Sequence, residues 1–116
     1  MMDGKGNINV NAPNDMSFNV GKNFYIVVGE NMSTTIGANE EISVSRNKTE
    51  SIGQDYIQNS NNKKVTVNKD KTENIGNIYK QAAGESDIQT TIGDLKLRGT
   101  TLAVFQGGKD VKVSKG

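Results

Sequence analysis

Hydrophobic and polar residues alternate along much of this chain with a period of two. Between residues 20 and 60 the even positions carry Val20, Phe24, Ile26, Val28, Met32, Ile36, Ala38, Ile42, Val44, Ile52 and Tyr56, whereas the odd positions carry only Tyr25, Val27 and Ile57. That period predicts extended strands with one face turned inward, because successive Cβ atoms point to opposite sides of a strand. A longer period lies on top of it. Val20-Gly21-Lys22-Asn23, Val28-Gly29-Glu30-Asn31, Ile36-Gly37-Ala38-Asn39, Val44-Ser45-Arg46-Asn47 and Ile52-Gly53-Gln54-Asp55 each begin eight residues after the last. Eight is even, so every repeat returns its apolar residues to the same face. The register resumes at Ile75-Gly76-Asn77 and Ala83-Gly84-Glu85. Gly53 to Gly76 is 23 residues, one short of three repeats, which places a one-residue slip inside the Lys-rich stretch 61–71.

Each octad predicts about six residues of strand and a two-residue corner. The corner residues are Gly21, Gly29, Gly37, Gly53, Gly76, Gly84 and Gly93. Glycine there is expected to supply backbone conformations closed to other residues, and the Asn two positions later to tolerate left-handed geometry. The pattern divides the chain into a lead-in segment over 1–19, an octad region over 20–93 and a tapering C-terminal tip over 94–116. In the tip, Leu95-Lys96-Leu97, Leu102-Ala103-Val104-Phe105 and Val111-Lys112-Val113 depart from the octad consensus. Leu102, Val104, Phe105, Val111 and Val113 are the candidates there for a surface that meets a partner.

Composition turns this pattern into a statement about chain number. Hydrophobic residues make up 33% of the 116 and the mean hydropathy is −0.61, below the roughly 45–50% apolar content of ordinary globular domains. An octad is too short to go around a single-chain solenoid, and its few inward side chains make a poor core for one chain. The expected fold is therefore all-β: an intertwined triple-stranded β-helix, or β-prism, formed by three chains. Each chain contributes one side of a triangular prism and passes to the next side at every Gly/Asn corner. Every strand then pairs with strands of the other two chains, which removes exposed sheet edges. The predicted trimer core comprises Val20, Phe24, Ile26, Val28, Met32, Ile36, Ile42, Val44, Ile52, Val67 and Ile75. The lone chain is not expected to fold.

Charge and missing residue types narrow the chemistry. Fourteen basic and 13 acidic residues, scattered rather than clustered, give a net charge of +1 and no electrostatic footprint for nucleic acid. The absence of Cys and His removes thiol nucleophiles, imidazole bases and the usual zinc ligands. Glu40 and Glu41 are adjacent on a strand, so they face opposite sides and cannot flank one glycosidic bond. No enzymatic activity and no cofactor are expected. Glu40, Lys48 and Glu50 fall on the apolar parity, and Lys63, Lys64, Lys69 and Lys71 lie near the slip. Glu40, Lys48, Glu50, Lys69 and Lys71 are candidates for charge rings on a three-fold axis, with an adventitious ion as an optional occupant. For Glu40, Lys48 and Glu50 the alternative is a local twist or bulge that exposes them; for Lys63, Lys64, Lys69 and Lys71, which could hold an anion on the axis, it is a solvated basic girdle.

The run from Val28 to Gly53, with its Val-Gly-Glu-Asn, Ile-Gly-Ala-Asn and Ile-Gly corners, resembles the octads of VgrG spike proteins of type VI secretion systems and the related central spikes of contractile phage tails. The stretch from Gly6 to Val20 resembles the segment by which that family enters its spike. The resemblance implies a homotrimeric spike at the tip of a contractile injection machine, driven mechanically through a target membrane with which it makes only transient contact. It implies a PAAR-type tip protein or an effector at the C-terminal end, and sheath and tube machinery engaged through an N-terminal part outside this sequence. Assembly in the bacterial cytoplasm and export by the machine follow from the same likeness. A trimeric phage tail-fibre or adhesin shaft would share the architecture but bind a surface receptor or glycan.

Overall fold

The computed structural model describes residues 4–115, in two units that meet between Gln58 and Asn59. In the first unit the backbone bends at 21–22, 29–30, 37–38, 45–46 and 53–54 and is extended between the bends. These are the corners read from the octads, including the one at Ser45-Arg46 where no glycine is present. Two further bends, at 4–6 and at Pro13-Asn14, punctuate the lead-in segment.

The second unit bends at 61, 68–69, 76–77, 84–85, 91–93, 100–101 and 108–109. The step from 61 to 68 is seven residues, which localises the one-residue slip to this single side. The bends at 100–101 and 108–109 lie eight apart and continue the spacing of 68, 76 and 84 through the C-terminal stretch. Its sequence hides the repeat because glycine there precedes the bend: Gly99 stands before Thr100-Thr101 and Gly107 before Gly108-Lys109.

The corner glycines are not used as expected. Among the described residues, only Gly4 and Gly6, with φ of 76° and 86°, have positive φ, and no other residue type does. The octad corners are therefore made within ordinary backbone space, which explains how Ser45, Asn61 and Asn68 can stand where glycine stands elsewhere. A Cβ added at Gly21, Gly29, Gly37, Gly53, Gly76, Gly84 or Gly93 would meet no atom of the chain within 4 Å. Gly99 and Gly107 differ. Their added Cβ would lie 2.4 Å from the Leu102 carbonyl oxygen and 2.2 Å from that of Asp110, so these two corners close too tightly for a side chain.

Within each unit, no two residues twelve or more positions apart bring their Cα atoms within 8 Å, and no described residue is buried. A compact protein of 12.5 kDa exposes roughly 6,200 Å², whereas this chain exposes 13809 Å². Among the described residues, the octads of one unit therefore build no ladder with one another.

Candidate trimer interface

One face of each octad is assembled by position relative to the bend. The third, fifth and seventh residues after the bend's first residue share a side: Phe24, Ile26 and Val28 after Gly21, and Lys48, Glu50 and Ile52 after Ser45. In the first unit the apolar side chains of this face, from Val20 to Tyr56, are 45–66% exposed, whereas Tyr25, Val27 and Ile57 on the opposite face are 81–94% exposed. The chain thus half-shields the first face with its own corners and leaves the second open. Phe18 and Phe24 pack across the first corner on this face, with ring centroids 5.9 Å apart and planes tilted by 45°.

The two-residue alternation survives the slip because the seven-residue side bends at Asn61 alone, where the other corners use two residues, and leaves the single residue Asn62 before Lys63. Lys63, Val65 and Val67 then hold the places of Lys48, Glu50 and Ile52, and the face moves from even to odd numbers. Val67 and Ile75 occupy the place directly before a bend, as Val20, Val28, Ile36, Val44 and Ile52 do. Lys69 lies within the bend at 68–69, at the place of Arg46, and so stands apart from the other candidate ring residues. Of the candidate tip residues, Phe105, Val111 and Val113 fall on the shared face, while Leu102 and Val104 alternate onto the other.

Two lysine–glutamate pairs stand on the shared face. Lys48 Nζ lies 2.8 Å from Glu50 Oε1, and Lys71 Nζ lies 3.0 Å from Glu73 Oε1. Residues two apart on a strand point the same way, which brings each pair together. Their side chains are 48–57% exposed, the same degree as the apolar residues beside them. By contrast, Asp94 and Lys96 lie on the opposite face, 4.0 Å apart and more open to solvent. The hydrogen bond to Glu50 and then its charge hold the Lys48 ammonium above its ordinary pKa of 10.5, with smaller contributions from Tyr56 and Glu40. Lys71 is raised in the same way by Glu73, with a further contribution from Tyr79. Glu40, Lys48 and Tyr56 are octad equivalents, one on each successive side.

Glu73, Gln58 and Gln81 were not visible as site residues in the octad pattern, yet they belong to a second repeat. Lys48-Thr49-Glu50-Ser51-Ile52-Gly53 recurs as Lys71-Thr72-Glu73-Asn74-Ile75-Gly76, and Tyr56-x-Gln58 as Tyr79-x-Gln81, all offset by 23 residues. The contacts recur too. Gln58 Nε2 donates to Tyr56 Oη at 2.5 Å, and Tyr79 Oη donates to Gln81 Oε1 at 3.2 Å. An offset of 23 could have been found by self-comparison, but the eight-residue signal dominates any search for repeats.

What this arrangement offers in the first unit is a half-shielded apolar face repeated at every octad. Such a face suits an interface with further copies of the chain. No curated protein and no solved structure matches the sequence. The family model of the bacteriophage T4 gp5 C-terminal trimerisation domain matches residues 2–94. The chain therefore belongs to the family of that phage trimerisation domain, and it is a homotrimeric, phage-like spike component.

Proposed function

We propose that three copies wind into an intertwined triple-stranded β-helix that serves as the spike of a contractile injection system of the VgrG type. The observation that carries this reading is the bend every eight residues combined with one half-shielded apolar face. Three chains related by a three-fold axis satisfy both features: each corner moves a chain to the next side of a prism, and all the shared faces meet inside. Strands would then climb about 4.8 Å per octad, each pairing with strands of the other two chains. Such a rod transmits axial force well, because no strand can peel away without breaking ladders to two neighbours.

The function is mechanical and calls for no catalytic residue and no cofactor. The spike is assembled in the bacterial cytoplasm, carried outward by sheath and tube, and pushed through the target membrane with a PAAR-type tip protein or effector on its C-terminal end. Co-purification from cells firing an active contractile system tests this. Recovery of a small conical tip protein bound through residues 94–115 is the expected result. Recovery of a surface glycan or receptor instead would return the chain to the tail-fibre or adhesin class.

A further inference from the structure

The octad repeat leaves one problem unsolved by its own regularity. Corners eight residues apart match equally well when one chain slides by a whole octad, and the residues directly before the bends are nearly uniform: Val20, Val28, Ile36, Val44 and Ile52. Apolar layers of this kind do not discriminate register, just as uniform hydrophobic positions fail to fix coiled-coil alignment. Something must distinguish one octad from the next.

The two cassettes do. From the juxtaposition of Lys48 with Glu50 and of Lys71 with Glu73 on the shared face, we propose that residues 48–58 and 71–81 are register clamps, which fix the alignment of each chain against two further copies of itself. The inference rests on the triple-stranded β-helix proposed above. In register, three Lys48–Glu50 pairs share one level, and Tyr56 and Gln58 form the next level along the axis. A slide by one octad brings Lys48 and Glu50 of one chain level with Tyr56 and Gln58 of another, or with Glu40 and Ile42. The pair lies within one chain and travels with it, so Lys48 keeps Glu50; what the slide removes is the neighbouring pairs at that level, and it can leave Glu50 of one chain level with Ile42 of another. A buried ion pair repays its desolvation only where further hydrogen bonds satisfy its remaining donors and lone pairs. The charged layers therefore add little to stability and act mainly against wrong alignments.

The slip contributes as well. A slide by the full 23 residues would bring one cassette onto the other, and this is the one error that the pairs alone would accept. It would also set the seven-residue side at 61–68 against an eight-residue side of the neighbouring chain. Bends would then fall out of step over that side. Two clamps separated by an irregular side thus admit only one alignment.

Pulsed electron paramagnetic resonance on the whole chain tests this. The chain has no cysteine, so Thr35→Cys on the outer face accepts a single spin label per copy. The unaltered interface is expected to give one inter-label distance population at trimer mass. In Lys48→Met/Glu50→Leu/Lys71→Met/Glu73→Leu, the trimer mass is expected to persist while further populations appear, corresponding to axial offsets of about 4.8 Å per octad of slide. The exchanged variant K48E/E50K/K71E/E73K keeps every pair and is expected to return a single population. A single population in the neutral variant at trimer mass overturns the clamp and leaves the β-helix standing. Multiple populations with the unaltered interface overturn both. If the neutral variant does not assemble, K48M/E50L and K71M/E73L each carry the test alone, and one unchanged population in both overturns the clamp.

Discussion

Lys48 and Lys71 are the residues whose chemistry is most altered by their surroundings, and each owes this first to a hydrogen bond from its own chain. Because the folded pKa lies above the ordinary value of 10.5, the stability that the pairs contribute at neutral pH is lost as pH rises through the raised pKa. Thermal melting of the trimer is therefore expected to hold level from neutral pH to about pH 10 and fall above it. E50Q/E73Q should flatten that fall, as followed by circular dichroism. Glycine makes a second prediction at this scale. Gly107→Ala would bring its Cβ to 2.2 Å from the Asp110 carbonyl oxygen, so that corner must open. A loss of roughly 1–3 kcal/mol per chain is expected in denaturant melts. Gly37→Ala meets nothing within its own chain, so any loss there measures how closely another chain approaches the corner.

At the scale of the element, the seven-residue side shows which positions an octad can spare. The side from 61 to 67 dispenses with the second residue of its bend, and the shared face keeps its order. Deleting Glu30, the second residue of the bend at 29–30, should be tolerated in the same way. Deleting Ser33 instead leaves the corner fixed and turns Met32 to the outer face. It should cost roughly 2–5 kcal/mol per chain, the range for removing a large apolar side chain from a core. Comparing the melting temperatures of the two deletions checks the assignment, and equal losses would refute it.

For the whole molecule, the exposed area of 13809 Å² is more than twice that of a compact chain of this size. Folding and association are therefore expected to be one event. Light scattering should give three times 12.5 kDa, and the melting temperature should rise with protein concentration, as expected when only the assembled state is stable. A folded monomer in dilute solution would contradict this outright. The sequence by itself determined the octad period, the corners and the sharing of one apolar face, because strand alternation and turn spacing are written locally in residue order. It also showed that a step of seven lay somewhere in 61–71, since two glycines fell 23 apart. The structure decided what depends on backbone path and side-chain reach. The step occupies the side from 61 to 68, bends persist at 100–101 and 108–109 where the glycine moves ahead of the corner, and the corners need no positive φ. It also paired the lysines with Glu50 and Glu73 across one strand face. Residue types alone left Lys48 and Glu50 either in axial charge rings or bulged outward, and Lys71 either at an axial anion or in a solvated basic girdle; the distance between two side-chain atoms is set only once the strand exists.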